Sequence, residues 1–393
     1  MKQILIGLLS VLCLHLKAQP FYKTMLKLPD TGQQTDFTNT FGEDADITFN
    51  PPGFENLNNG ILRDTITGLY WQQNDGGEMT FEQAQVYCQQ LNLGAFTDWR
   101  LPNAFEAFAI LNQGALNPAI DVKYFTKTAA EYWWTATVQV GDSSKIWVTN
   151  AGGGIGNHPK LESISAGGTK KIHVRAVRNA MPAQLLANHF NTLNNGSILD
   201  QNAELIWQPY NGKTLGWEGA LAYAKQVSDS LGENWRLPNI KELQSIVDYN
   251  LQQPALNKTI FNVNASLQFW SSTTLQNQAT KAWFLDSKFG ITTYDLKTNL
   301  HAVMLVKSKP ETSTGLEAIK LGIQSPCAYP NPFTNNIQLR HVNPALPFKL
   351  YNSQGQLMLE GENIQEQELG SMPQGLYYLM MFDTSIHLFK LKK

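Results

Sequence analysis

Cysteine is nearly absent: three residues in 393, at positions 13, 88 and 327. No two stand close enough for a zinc or redox CxxC pair, and Cys88 and Cys327 fall in different predicted domains, so no disulfide framework is expected. Charge is scarce too. Charged residues make up 16% of the chain and the formal net charge is −2, with no basic stretch to grip a phosphate backbone, which excludes nucleic acid as a partner. Asn, Gln, Ser and Thr fill the surface instead, a balance that suits an extracytoplasmic protein. Past the N-terminus no apolar run reaches membrane length, so no transmembrane segment is expected. Glycines 152, 153, 154 and 156 in "AGGGIGNHP" lack the strand–loop–helix context and Lys-Ser/Thr of a phosphate loop. The seven histidines (15, 158, 173, 189, 301, 341 and 387) are scattered. There is no nucleophile elbow and no EF-hand. The sequence therefore reads as non-enzymatic, with no cofactor, no metal site and no catalytic residue.

The first residues, "MKQILIGLLSVLCLHLKAQP", carry a charged start at Lys2, an apolar run from Ile4 to Leu16 and a small residue, Ala18, at the end. This is the pattern of a secretory signal, residues 1–18, cleaved after Ala18. Leu12 before Cys13 does not suit a lipoprotein signal.

The dominant feature is a repeat. "TDWRLPN" (97–103) returns as "ENWRLPN" (233–239), and Trp99 stands 136 positions before Trp235. The same shift aligns 54–147 with 190–283 without a gap, pairing Trp71, Trp134 and Trp147 with Trp207, Trp270 and Trp283. The second copy then loses seven residues, and "VRAVR" (174–178) meets "VMLVK" (303–307) at a shift of 129. All ten tryptophans lie in the copies, five in each. A period this long is domain duplication. The domains read as lead-in 19–53, copy 1 at 54–180, copy 2 at 184–308, linker 309–326 and a C-terminal domain at 327–393.

Within a copy the local plan is legible. Asn59-Gly60 and Thr67-Gly68 are turns around strands at 61–64 and 69–72. "TFEQAQVYCQQLN" predicts a helix capped by Thr80. "AFEAFAILNQG" predicts a second, opened by Pro102-Asn103 and stopped by Gly114. "EYWWTAT", "KIWVTN" and "IHVRAVR" have strand chemistry. The result is an α+β domain with an aromatic core, each copy expected to hold together on its own packing.

These motifs in this order ("DTITGLYWQ", the Tyr87-Cys88 helix, "DWRLPN", "YWWTAT", "VRAVR", preceded by "LPDTGQ" and "GEDAD") resemble the Lcl C-terminal domain family of exported bacterial domains. The resemblance implies two tandem domains with the fold of C-type lectins and formylglycine-generating enzymes. It also implies surface binding, since one relative is the head of a collagen-like adhesin that binds host glycosaminoglycans. Family members often bridge the first helix to the last strand by a disulfide. Here Ala176 stands at the second position, and copy 2 has Ala224 and Leu305, which leaves Cys88 a lone buried thiol. The copper-binding cysteines of the formylglycine-generating relatives have no counterpart.

The tail ("YPNPFTNNIQLR", "LYNSQGQLM", "MPQGLYYLMM" and "HLFKLKK") alternates short strands with Asn, Pro and Gly turns, which predicts a small all-β sandwich. It resembles the C-terminal sorting domain of type IX secretion substrates, with Pro330, Asn331, Pro332, Gly355, Gly375 and Tyr377 as its motif residues. The resemblance implies the type IX machinery as partner, and release or attachment at the cell surface.

Two readings compete for WRLPN. Trp99 and Arg100 could form a sugar platform, or the motif could be structural. We take the second, because charge and partner recur together: Arg100 with Glu106 and Arg236 with Glu242, with Pro102 and Pro238 opening a helix and Trp99 and Trp235 in the core. Trp71, Trp134, Trp207 and Trp270 are assigned to the core for the same reason. A binding residue need not appear in both copies. The candidate ligand loop is therefore 150–171, where copy 2 is shorter, with His158, Lys160, Lys170 and Lys171; Trp133, which becomes Phe269 in copy 2, is the ring that could stack on a sugar, with core placement of both the preferred reading. The function expected is recognition of a glycan or another surface polymer; the alternative is a structural component of the envelope with no small ligand.

Overall fold

The computed structural model describes residues 21–161, 172–180, 182–186 and 188–310, and in the tail 327–329, 333–340, 347–352, 356–381 and 384–390. The signal with Ala18, the candidates Lys170 and Lys171, most of the linker, and Pro330, Asn331, Pro332 and Gly355 lie outside the described residues. The chain divides into two compact units, Met1–Lys309 and Pro310–Lys393.

A short strand β1 (Phe21–Lys23) precedes the lead-in. Copy 1 then runs β2 (Phe54–Asn56), β3 (Ile61–Asp64), β4 (Leu69–Gln72), α1 (Phe81–Gln90), α2 (Ala104–Ala109), β5 (Tyr132–Val138), β6 (Lys145–Asn150), β7 (Ile155–Pro159) and β8 (Val177–Asn179). The order β2-β3-β4-β8 makes one antiparallel sheet and β5-β6-β7 another. Thr80 caps α1 as expected, and Gln83 reaches back to the Thr80 amide to complete a capping box. Helix α2 is shorter than predicted: it ends at Ala109 with Ile110 as its cap, well before Gly114. β2, absent from the sequence reading, pairs with β3 because Asn58, Asn59 and Gly60 all adopt positive φ and reverse the chain.

Strand β9 (Gln184–Leu186) pairs with β1 and leads into copy 2. There follow β10 (Phe190–Thr192), β11 (Ile198–Asp200), β12 (Leu205–Trp207), β13 (Thr214–Leu215), α3 (Trp217–Leu231), α4 (Ile240–Ser245), α5 (Lys258–Phe261), β14 (Gln268–Thr274), β15 (Lys281–Asp286), β16 (Ile291–Leu296), β17 (His301–Ala302) and β18 (Val306–Ser308). The first sheet, β10-β11-β12-β18, repeats that of copy 1. The second has five strands, β13-β17-β14-β15-β16. In copy 1 the places of β13 and β17 are marked by isolated bridges, Glu78 to His173 and Trp133 to His173.

All ten tryptophans are buried. Trp134 Nε1 donates to Met79 O at 2.9 Å and Trp270 Nε1 to Leu215 O at 3.0 Å, the same bond in both copies. Each copy has a core of its own, around Trp99 and Trp134 and around Trp235 and Trp270. A further core is shared. Phe108, Leu111, Trp147 and Ile155 of copy 1 pack with Trp207, Leu243, Phe261 and Trp283 of copy 2. Two self-contained globules would not pack in this way: part of each copy's apolar surface is buried only by the other.

The lead-in strengthens this junction. Thr31 O accepts from Gln113 N of copy 1, at 2.9 Å. Gln33 exchanges two hydrogen bonds with the Thr274 main chain of copy 2, at 2.8 and 3.1 Å. Between the copies Lys241 is buried, its Nζ donating to Asp30 O at 2.9 Å and Ala109 O at 2.8 Å. Residues 30–49 are thus a strap across both copies.

In the tail, β19 (Cys327–Tyr329) pairs with β20 (Gln338–Arg340), while β21 (Pro347–Asn352), β22 (Leu357–Glu362), β23 (Gly375–Met381) and β24 (Thr384–Lys390) form a sheet ordered β22-β21-β23-β24. Phe333, Ile337 and Leu339 share a core with Phe348, Leu350, Tyr377 and Leu379. Tyr377 is buried on β23, and its hydroxyl donates to Pro373 O at 2.8 Å. Gly375 opens that strand.

Candidate functional site

In WRLPN, Trp99 and Trp235 are buried in the cores of their copies. Arg100 Nη1 and Nη2 donate to Glu106 at 2.7 and 2.8 Å, and Arg236 makes the same fork to Glu242 at 2.6 and 2.5 Å. The carboxylates also accept from the N-cap amides, Glu106 from Asn103 N at 2.9 Å and Glu242 from Asn239 N at 2.8 Å. Pro102 and Pro238 stand directly before those caps, their rings fixing φ and withholding a backbone donor as the chain enters the helix. The motif thus ties a loop to a helix start through a two-pronged ion pair.

Of the ligand loop drawn from the sequence, residues 150–161 are described, and its start faces the other copy. Residues 151, 153 and 154 are buried, because the glycine run turns β6 into β7 against copy 2. A Cβ on Gly154 would lie 3.3 Å from Trp283 and 3.4 Å from Thr292 O, and Gly153 has φ +96. Ile155 N donates to Thr292 Oγ1 at 2.9 Å. The described start of the variable stretch is therefore a junction between copies. Trp133 is buried, its Nε1 donating to Asp75 Oδ2 at 2.9 Å, so it presents no face to a sugar. His158 meets the Tyr132 ring edge-on at 5.2 Å, and Lys160 Nζ sits 5.4 Å from the Phe81 ring centre. Cys88 is a free, buried thiol, which burial pushes up to about 12.

A different place distinguishes the copies. In copy 1, Asp75 Oδ1 accepts from Gly77 N at 2.7 Å and pairs with His173 Nδ1 at 3.0 Å. Glu131 and Glu78 lie 3.9 and 4.0 Å from His173 Nε2. Burial disfavours the charged ring, but the Asp75 hydrogen bond and the surrounding carboxylates outweigh it and raise the His173 pKa. Burial likewise pushes Asp75 up, yet His173, the Gly77 amide and Arg175 hold it below the usual carboxylate range. Arg175 is spent on structure: it donates to Gln72 O, Gln73 O and Thr128 Oγ1 at 2.9, 2.6 and 2.7 Å.

The equivalent positions in copy 2 are smaller or uncharged. Thr214 replaces Glu78, Leu267 replaces Glu131, Ala302 replaces His173 and Asn211 replaces Asp75. Three of those positions, Thr214, Leu267 and Ala302, line a groove of about 380 Å³ beside β13, β14 and β17, together with Gln268, Asp286, Lys288, Leu300 and His301. His301 is packed between Phe284, stacked at 4.7 Å, and the edge of Trp270 at 4.2 Å. Its Nε2 meets Asp295 Oδ2 at 3.1 Å. Burial wins over that carboxylate and lowers the His301 pKa. The lining offers hydroxyl, amide, one carboxylate and one ammonium beside an apolar wall. Among the described residues no group of His, Cys, Asp or Glu could hold a metal ion. Sequence reasoning missed this groove; the signal was there in the paired positions 78/214, 131/267 and 173/302, where the repeat loses charge.

Comparison with known proteins follows the same division. The Lcl C-terminal domain profile matches residues 60–178 and 196–307. The chain belongs to the Lcl C-terminal domain family. Residues 327–390 match the secretion system C-terminal sorting domain, which marks this Lcl-type protein as exported to the cell surface or outside the cell through the type IX machinery. Among the described residues no helix is long and apolar enough to cross a membrane. No curated protein matches the chain. Among solved structures it is similar to PorZ, an essential bacterial surface component of the type IX secretion system of Porphyromonas gingivalis, at 11% identity and a TM-score of 0.16, covering 88% of this chain and 39% of PorZ. The fold is α+β and rich in strands.

Proposed function

We propose that this exported protein is a non-enzymatic binding protein that recognises a glycan or a similar polyhydroxylated surface polymer in the groove of copy 2, on a lectin-like scaffold. One observation carries the reading: at one place in the duplicated fold, copy 1 is filled by charged side chains while copy 2 opens a groove of about 380 Å³, near the lower end of the volumes typical of small-ligand sites. The groove is mixed polar and apolar and close to neutral, which suits hydroxyl-rich ligands better than anionic ones. With no exposed tryptophan in either copy, affinity would come from hydrogen bonds and from the Leu267–Leu300 wall.

The test is a glycan array with the exported chain, followed by calorimetry on its hits. Ala302→His with Thr214→Glu, which rebuilds copy 1's filling in copy 2, is expected to weaken binding at least tenfold. His173→Ala is expected to leave it unchanged. An array blank at high protein concentration would end the reading and leave an envelope-assembly role as its successor.

A further inference from the structure

The strap of residues 30–49 docks on a face of copy 2 that copy 1 repeats. On copy 2, Asp44 Oδ2 accepts from Thr273 Oγ1 at 2.5 Å, and Glu43 accepts from Thr274 Oγ1. The Phe49 ring covers the Arg236 guanidinium at 5.0 Å. Lys297, 3.6 Å from the Trp217 ring centre, lies in the field of Glu43 and Asp36. Four receptor groups therefore hold the strap: Thr273, Thr274, Arg236 and Lys297.

Copy 1 has the counterparts Thr137, Val138, Arg100 and Lys160. Thr137 Oγ1 accepts from Ala104 N at 2.9 Å as Thr273 Oγ1 does from Ile240 N at 3.1 Å, so its proton is likewise directed elsewhere. Lys160 lies over Phe81 as Lys297 lies over Trp217. The receptor is repeated, but among the described residues its cover is not. The Arg100 side chain is 37% exposed against 8% for Arg236, and Val138 is 41% exposed where Thr274 is buried.

We propose that this face of copy 1 is a docking site for an extended acidic segment of another exported chain, with the chemistry of residues 30–49: adjacent carboxylates for Thr137 and Lys160 and an aromatic ring for Arg100. A second copy of this chain is not the donor, because its own strap is engaged by its own copy 2. The cation at Lys160 favours an acidic partner, the Arg100 guanidinium, already paired with Glu106, offers its face to an aromatic ring, and the outward Val138 adds an apolar contact that Thr274 does not offer.

The probe is a synthetic peptide of residues 30–49, titrated into the whole exported chain by fluorescence anisotropy. One peptide is expected per chain, with affinity falling at least tenfold in the Val138→Asp and Lys160→Glu chains and in a peptide carrying Asp44→Asn. Both chain positions are at the surface, and an unchanged thermal transition will show that the variants fold. No saturable binding overturns the proposal. Binding indifferent to Val138→Asp and Lys160→Glu also overturns it, since the peptide would then be exchanging with the strap on copy 2. Concentration-dependent dimers abolished by Val138→Asp would overturn the source, naming this chain as its own partner.

Discussion

Asp44 shows what single residues do here that composition conceals. It is enclosed between the strap and copy 2, where it accepts from Thr31 and Thr273. Burial raises its carboxyl from 3.8 to about 7, against the pull of those two hydroxyls, with Glu242 and Asp30 adding to the rise. The folded chain therefore keeps a proton that the unfolded chain has released, and this group makes stability fall as pH climbs from about 4 to about 7. In Asp44→Asn that contribution should vanish, and urea midpoints measured across this range should vary less with pH than in the parent. An unchanged slope would show that Asp44 does not hold the proton. The sequence marks 42–46 as part of the lead-in; it cannot say that residue 44 lies against residue 273, because no local pattern encodes contacts so far apart along the chain.

At the scale of the element, WRLPN was the most legible feature. A proline, an Asn cap and a carboxylate three residues later define a helix start from local geometry alone, and the Arg recurring with its Glu pointed to an ion pair. The two pairs sit in different surroundings, however. Arg236 is sealed by Phe49, whereas Arg100 meets solvent. Arg236→Ala should cost about 3–5 kcal/mol by leaving Glu242 charged and dry, and Arg100→Ala clearly less, since water can reach Glu106 through the gap. Equal losses in urea denaturation would contradict this. The glycine run misled for the complementary reason: mobile loops and tight junctions both favour glycine, and only the approach of Trp283 and Thr292 separates them.

For the whole molecule, the shared core decides how the duplication behaves. Phe108 and Trp147 are buried against copy 2, and the strap that covers Arg236 is covalently part of the copy 1 half. Cutting near residue 182 should leave a copy 2 fragment that exposes this apolar surface and unfolds without a cooperative transition, while residues 19–309 unfold in one step by calorimetry. A fragment of 190–309 with a sharp transition of its own would establish independence. The tail has its own core, made of its own residues.

Duplication, export, the sorting tail, the tryptophan cores and the helix caps were all determined by the sequence itself, because each rests on local spacing, composition or a repeat that can be read along the chain. The groove of copy 2, the burial of Trp133 and of the glycine run, and the strap were decided only in three dimensions. Each depends on which distant side chains meet and on how much room they leave, and one-dimensional periodicity carries neither quantity.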